Sequence, residues 1–236
     1  MSHTSGVRQA QKQKTRQALL DAALGLLEEQ SLSSLGLREV TRAVGVAPTA
    51  FYRHFRSTAD LGVALVEEAL GSLHPMIRTT MAPAEDDDER IGRAVELIAR
   101  HVAAHPAHVR FVARERHGGV QPVRRAIREQ LARFAEEVKA ELAEDASAAG
   151  WSEADLRMLA GLYVDQMLIT ASLFLETLDA PEEERMLAGL YVDQMLITAS
   201  LFLETLDAPE EERRRAVETA RRQLRLIGVG RAHWLD

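Results

Sequence analysis

The side chains most able to do chemistry in this chain lie close together, between residues 49 and 54. They are a hydroxyl, a methyl, a phenol, a guanidinium and an imidazole, supplied by Thr49, Ala50, Tyr52, Arg53 and His54. Most of these groups can donate hydrogen bonds to phosphate oxygens or base edges. Phe51 and Phe55, one helical turn apart, are predicted to face inward and so leave the polar side chains outside. The segment therefore has the chemistry of a nucleic-acid contact.

Two short helices joined by a glycine turn are predicted to position these groups. Val40, Ala43 and Val44 form the apolar side of the first helix. Gly45 suits a left-handed residue between the helices, where a side chain would be strained. Pro48 then starts the second helix, where its missing N–H costs nothing. This is helix-turn-helix geometry, which also occurs in helical proteins that never touch DNA.

Charge placement favours the DNA-binding interpretation. The chain carries a net charge of −7, whereas residues 1–56 hold eight Lys and Arg against four Asp and Glu. A basic segment on an acidic body is typical of a small DNA-reading domain. The basic tail before the first helix is either a solvated terminus or an arm that follows phosphates or enters the minor groove. The further predicted DNA contacts are Arg8, Lys12, Lys14, Arg38 and Thr58.

Residues 12–65 resemble the N-terminal domain of TetR-family repressors. The resemblance rests on Thr15-Arg16, the apolar pattern that follows to Leu27, the helix-turn-helix, the run Phe51-Tyr-Arg-His-Phe55, and Ser57-Thr-Ala-Asp-Leu61. Residues 6–16, 47–55, 114–116 and 224–227, with a late Trp234, are also similar to the subgroup that represses unsaturated fatty-acid synthesis and desaturase genes.

This resemblance implies a homodimer that binds palindromic operator DNA and responds to a small molecule. Thr49 and Ala50 would face the groove, while Tyr52 and His54 would contact phosphate. An apolar tunnel would accept an acyl chain, with a long-chain acyl-CoA as effector. No other cofactor is expected, and the protein is expected not to be an enzyme.

Apolar residues recur at helical spacing almost throughout, which predicts an all-α fold. Three parts are expected: a basic arm (1–14), the helix-turn-helix domain (15–56) and a ligand-binding and dimerisation bundle (57–236). Ser57 should cap a fourth helix that runs to Pro75. No apolar run is expected to approach the ~20 residues that a membrane-spanning helix needs, and no signal peptide is recognised at the start of the chain. A cytoplasmic protein without membrane contact is therefore expected.

Helical spacing also predicts an effector site in the bundle. Its apolar lining is predicted to be Leu73, Ile77, Ile98, Val102, Phe111, Phe134, Tyr163 and Met167, although these residues could equally form an ordinary core. A compact basic cluster consists of Arg110, Arg114, Arg116 and His117. A CoA phosphate needs such donors, and solvated charge at a helix end is the competing account.

Two alternatives remain open. A repressor of a drug-efflux gene would need carboxylates in its pocket, for which Asp165 is the candidate. A metal-binding bundle enzyme or sensor could use His101, His105 and His108, spaced at i, i+4 and i+7, although Pro106 interrupts that helix. There is no cysteine, nucleophile–base pair or glycine-rich phosphate loop to support catalysis.

The chain also contains an exact repeat. Residues 158–185 recur without change at 186–213. Natural repeats usually diverge, so a perfect copy indicates a very recent duplication, an engineered insertion or an error in the recorded sequence. Three helices then compete for the dimer interface: 152–178, 184–206 and 210–228. We predict that 184–206 and 210–228 form it and that the first copy is buried against the body.

Overall fold

The computed structural model describes residues 3–81, 87–144 and 152–178, which consist of helices and their connections. The helices are α1 (His3–Leu26), α2 (Leu37–Val44), α3 (Pro48–Phe51), α4 (Thr58–Gly71), α5 (His74–Met81), α6 (Asp87–Ala104), α7 (Pro106–Glu115), α8 (Gln121–Glu144) and α9 (Glu153–Leu178). These residues contain no strand, and the all-α prediction is confirmed.

The turn between α2 and α3 forms as predicted. Gly45 has φ 73°, a left-handed conformation, and its N–H closes the end of α2. Pro48 occupies the first turn of α3. Phe51 and Phe55 are buried and pack on each other with ring centroids 5.5 Å apart. Buried aromatic rings thus hold the short α3 against the domain core.

The apolar side of α2 differs from the prediction at one position. Val40 is buried, but Ala43 is exposed and Thr41 takes the inward place. The Thr41 hydroxyl donates to the carbonyl of Leu37, which removes the cost of burying it. A threonine that bonds back to its own helix can serve as a core residue.

The basic N-terminal segment is helical instead of forming a separate arm. α1 begins at His3 and is continuous to Leu26. A helix with its side chains is about 10–12 Å wide, whereas the minor groove of B-DNA is about 6 Å wide. Residues 3–14 in this conformation can lie along phosphates but cannot enter the minor groove.

The body begins at α4, and the single helix predicted from Ser57 to Pro75 is divided into two. The Ser57 hydroxyl accepts from the Asp60 N–H and caps α4, as expected. α4 ends at Gly71, however, and Pro75 lies in the first turn of a separate helix, α5. Proline is tolerated there because first-turn N–H groups have no partner within the helix. α8 packs on α4, α5 and α9, and α9 also packs on α6 and α7.

Within α9, Leu156–Leu175 is long and apolar enough to cross a membrane by length and composition, contrary to the expectation that no such run exists. A core helix of a soluble protein meets the same criterion. α9 packs on three other helices and contributes Ala160, Val164 and Leu175 to buried positions. This helix therefore carries little weight as evidence for a membrane span.

The tandem repeat is described only in its first copy. Residues 158–178 form most of α9, which packs against the body in the way predicted for that copy. The predicted interface helices 184–206 and 210–228 lie outside the described residues.

Candidate functional site

The segment predicted to contact DNA presents most of its polar groups to solvent. Tyr52 is 63% exposed, and Thr49 and Arg53 are exposed as well. Ala50 and His54 are half-buried. Phe51 packs edge-on against the Tyr52 ring at 5.9 Å between centroids. The buried phenylalanine therefore fixes the direction in which the phenol projects.

His54 sits where positive charges converge. Desolvation lowers its pKa below 6.5, and Lys12, Arg16 and Arg53 lower that pKa further by repulsion. Its Nδ1 is buried and has no hydrogen-bond partner in the part of the chain that the structure describes. The imidazole is therefore neutral near pH 7, and it can donate one hydrogen bond to a phosphate without adding charge.

A basic surface surrounds this segment. Its exposed cations that pair with no carboxylate among the described residues are Arg8, Lys12, Lys14, Arg38, Arg42 and Arg53. Arg56 instead lies 3.1 Å from Asp60, and Arg16 stacks 5.1 Å from the Phe55 ring centre. Thr58, a predicted DNA contact, is half-buried in the first turn of α4. The unpaired cations are free to neutralise DNA phosphates.

The body contains an apolar cavity of about 110 Å³ lined by residues of α4 to α9 and their connections. Sixteen of its twenty lining residues are apolar, and the others are His101, His108, Arg116 and Ser172. The Ser172 hydroxyl donates to the Leu168 carbonyl within α9 and is satisfied. An apolar cavity with a few polar groups is the usual form of a small-molecule site.

Most of the predicted lining residues meet at this cavity. They are Leu73, Ile77, Ile98, Val102, Arg116, Phe134 and Met167. Four others do not line it: Phe111, Arg114, His117 and Tyr163. Phe111 is buried in the core because α7 turns Val109, Val112 and Ala113 toward the cavity instead. Helical spacing found the apolar helices but not which side of α7 faces inward.

Two arginines predicted to bind a CoA phosphate bind the end of α1 instead. Arg114 Nη1 donates to the carbonyls of Leu27 (2.7 Å) and Gln30 (2.9 Å), and Nη2 donates to that of Glu28 (3.3 Å). Arg110 lies 3.1 Å from the Glu28 carboxylate. These carbonyls lie in the turn that directly follows α1, outside its hydrogen-bond pattern, and a guanidinium can satisfy several of them at once.

A buried carboxylate adds to this junction. Glu115 is 1% exposed, and its Oε1 accepts from the Leu32 N–H at 2.9 Å. α7 thus binds residues 27–32, between α1 and α2, through three side chains from two consecutive turns. We call this set, Arg110, Arg114 and Glu115, the α7 clamp. Sequence reasoning missed it because the partners are mainly backbone atoms, which leave no residue-type signal.

A second polar connection links the cavity to α1. His108, which lines the cavity, places Nε2 3.5 Å from Glu68 Oε1, an ion-pair distance without hydrogen-bond geometry. Glu68 in turn accepts from Gln17 Nε2 at 3.0 Å. α4 therefore carries a carboxylate that contacts both the cavity lining and α1.

The three histidines predicted as a metal alternative do approach one another. The His101 and His105 ring centroids are 4.9 Å apart, and those of His105 and His108 are 5.8 Å apart. No group of three His, Asp or Glu in the described residues could hold a metal ion. Burial lowers the pKa of His101, followed by repulsion from His105 and His108. The three rings therefore lie together where α6 ends and α7 begins.

The described residues thus combine a helix-turn-helix motif with an internal apolar cavity. Residues 19–65 match the sequence model of the "Bacterial regulatory proteins, tetR family". The likeness to that family is therefore shown for residues 19–65 of this chain. The matched residues include α2, α3 and most of the buried contacts that hold them.

Two solved structures share the fold. The fatty acid degradation regulator FadR of Bacillus halodurans is 21% identical with a TM-score of 0.59, over 77% of this chain and 93% of that one. NalD, the secondary repressor of the MexAB-OprM multidrug efflux pump of Pseudomonas aeruginosa, is 18% identical with a TM-score of 0.58, over 80% and 97%. At these identities the likeness shows the fold alone.

Proposed function

We propose that the protein is a homodimeric repressor that controls fatty-acid or lipid genes in response to a long-chain acyl-CoA. The observation that carries this proposal is the cavity, whose walls are apolar and whose lining includes one cation, Arg116, but no carboxylate. An acyl chain suits apolar walls, and an anionic head group complements a guanidinium. The cavity of about 110 Å³ is smaller than the roughly 300–1,000 Å³ of small-molecule sites, so a long chain would have to widen it. The shared fold with a fatty acid degradation regulator agrees with this choice.

The same cavity argues against a cationic drug as effector. A cation transferred into an apolar cavity needs a carboxylate partner. Asp165, the candidate for that role, is exposed on α9 and does not line the cavity. The Glu68 carboxylate lies 3.5 Å from Nε2 of His108, a lining residue, but Glu68 does not itself line the cavity. Regulation of an efflux gene is therefore the second hypothesis and not the first.

The head group would contact fewer arginines than the sequence predicts. Arg110 and Arg114 belong to the α7 clamp and already bind groups of residues 27–30. Arg116 on the cavity and exposed His117 have no ion pair among the described residues and remain available to the CoA phosphates. We assign Arg116 the main contact because a guanidinium binds phosphate or carboxylate in two-point fashion.

The α7 helix provides a route from effector to DNA. Val109, Val112 and Ala113 face the cavity, while the clamp residues on the other side hold the end of α1. An effector that prefers one position of α7 will therefore prefer one position of the helix-turn-helix domain. Only such a difference in affinity between two states can shift their populations.

DNA binding by a symmetric dimer would place two α3 helices about 34 Å apart, one turn of B-DNA. Thr49 and Ala50 would face base edges, with Tyr52, Arg53 and His54 at the groove and its phosphates. Arg8, Lys12, Lys14 and Arg38 would add sequence-independent affinity. Helices 184–206 and 210–228 are proposed to form the dimer interface.

The experiment begins with selection of bound duplexes from a random DNA pool by the purified protein. Fluorescence anisotropy on the selected site then compares palmitoyl-CoA, palmitate and a cationic dye as effectors. We expect palmitoyl-CoA to change the operator Kd by at least about fivefold. Palmitate separates recognition of the acyl chain from recognition of the CoA head group.

An Arg116→Gln variant tests the assignment of the head group. It should weaken the palmitoyl-CoA response by about tenfold, the loss of one charge-assisted contact, and leave effector-free DNA binding unchanged. Arg128→Gln, an exposed arginine on α8, is the matched control. A response to the cationic dye but not to acyl compounds would refute the lipid assignment in favour of the efflux hypothesis.

A further inference from the structure

The apolar cavity has a second polar region besides Arg116. Two of its lining residues are His101, near the end of α6, and His108, in the first turn of α7. The exposed ring of His105 has its centroid 4.9 Å from that of His101 and 5.8 Å from that of His108, and His105 does not line the cavity. We call His101 and His108 the histidine pair of the cavity.

His108 has a hydrogen-bonding atom that the described residues do not use. Its Nε2 is buried and forms no hydrogen bond with any of them. Glu68 Oε1 lies 3.5 Å away, but the two atoms lack hydrogen-bond geometry. A buried polar atom without a partner costs stability, and such atoms are rare in folded proteins. In a residue that lines a cavity, this atom favours a ligand that supplies the missing bond.

An uncharged hydroxyl suits the histidine pair better than a charged group. Burial, followed by repulsion from His105 and His108, lowers the pKa of His101, so its ring is neutral near pH 7 and offers one donor and one acceptor. The Glu68 carboxylate beside His108 repels a second anion. No carboxylate among the described residues lines the cavity to neutralise a cation. A hydroxyl can both donate and accept without carrying charge.

The helix α7 sets the distance between the two polar regions. His108 and Arg116 are eight residues apart, and Arg116 keeps helical backbone angles at the end of α7. At 1.5 Å per residue their backbones are separated by about 12 Å along the axis. Val109, Val112 and Ala113 line the cavity between them, so the wall is apolar over this distance. An extended saturated chain of about ten carbons spans the same length.

We propose that the cavity recognises an acyl chain of about ten carbons with an anionic group at one end and a hydroxyl at the other. Arg116 binds the anion, and the histidine pair binds the hydroxyl. This inference rests on the proposed function, because it requires an acyl chain in this cavity, and it narrows the ligand to a shorter, hydroxylated class. A shorter chain also widens the cavity of about 110 Å³ less than a long chain does.

Isothermal titration calorimetry on the purified full-length protein tests the ligand class. The ligands are decanoate, 10-hydroxydecanoate, 2-hydroxydecanoate and decanedioate. We expect 10-hydroxydecanoate to bind at least about tenfold more tightly than decanoate, because it alone supplies the hydrogen bonds of the histidine pair. The hydroxyl of 2-hydroxydecanoate lies at the Arg116 end, so this ligand should bind no more tightly than decanoate. Decanedioate should not exceed decanoate either, because Glu68 repels its second carboxylate.

Variants of the histidines test which side chain recognises the hydroxyl. His108→Phe should reduce the preference for 10-hydroxydecanoate over decanoate to about twofold or less, since the polar nitrogens are lost. His108→Gln keeps a side-chain amide and should retain a preference for the hydroxyl. His105→Phe is the matched control, because His105 belongs to the same junction but lies outside the lining, and the preference should be unchanged. His101→Phe repeats the test if His108→Phe does not fold.

Several results would overturn this inference. They are equal affinity of the unmodified protein for 10-hydroxydecanoate and decanoate, tighter binding of decanedioate, a preference that survives both His108→Phe and His101→Phe, or no binding of any of the four ligands. None of them decides whether palmitoyl-CoA changes operator binding, which tests the proposed function separately. Conversely, selective binding of 10-hydroxydecanoate without any effect of palmitoyl-CoA would refute the long-chain effector and support this inference.

Discussion

Replacing Arg114 with glutamine should loosen the DNA-binding domain from the body. The substitution removes a guanidinium that donates at 2.7, 2.9 and 3.3 Å to three carbonyls at the end of α1. Hydrogen bonds from a charged donor contribute roughly 1.5–3 kcal/mol. Two of these three bonds are exposed to solvent, so we take about 2 kcal/mol for the whole set. That free energy corresponds to about a 30-fold change in the local opening equilibrium.

Hydrogen–deuterium exchange measures this opening peptide by peptide. In Arg114→Gln, amides of residues 27–35 should exchange about 30-fold faster, while those of α8 stay unchanged. The urea midpoint should fall by about 1 M if the m-value is about 2 kcal/mol/M, with protein concentration held constant. Arg128→Gln should leave both measurements unaltered. Unchanged exchange in residues 27–35 would mean that the clamp bonds contribute no stability, and the α7 route would lose its basis.

Three further predictions concern other parts of the molecule. Lys14→Ala should weaken binding to all DNA sequences alike and reduce the slope of log K against log salt by about 0.9, whereas a changed sequence preference would show that Lys14 reads bases. Gly45→Ala should lower the free energy of unfolding by about 1–2 kcal/mol, because a φ of 73° is strained for alanine, although no atom lies within 4 Å of the added Cβ. The control is Gly92→Ala inside α6, where the added Cβ also meets no atom within 4 Å. This variant should be neutral or stabilising by up to about 1 kcal/mol in urea unfolding. Because the pKa of His101 is lowered by folding, the unfolded chain takes up a proton at a higher pH than the folded chain does, so stability should fall as pH drops from about 6.5 toward the folded pKa. His101→Asn should flatten this fall in urea titrations, whereas His117→Asn, at an exposed position, should not. Equal pH profiles for the two variants would contradict the burial of His101.

Local rules predicted the DNA-binding domain well. Gly45, Pro48, Phe51 and Phe55 each have one favourable local geometry, and neighbours a few residues away determine it. The same holds for the Ser57 cap of α4. These local rules failed where a residue fits two different local structures. Pro75 was expected to end a helix, but the first turn of α5 accommodates it equally well.

The body was harder to predict because its contacts join distant parts of the chain. Seven of the predicted effector-site residues reach the cavity, since an apolar helical face must turn toward some core. The rotation of α7 about its axis could not be predicted from spacing, and it places Val112 at the cavity instead of the predicted Phe111. Arg110, Arg114 and Arg116 looked alike as a cluster, yet their spacing on the helix sends them to different partners.

That division of arginines has a consequence for how an effector could act. Arg114 and Arg116 are two residues apart on one element, so they point to opposite sides of it. One holds the end of α1 and the other lines the cavity. A head group that pulls Arg116 moves the backbone that carries Arg114, and the carbonyls of residues 27–30 must follow or lose their donors. An anionic effector is therefore better placed to change DNA affinity than an apolar molecule of the same length, because it binds Arg116 in addition to touching Val112 and Ala113.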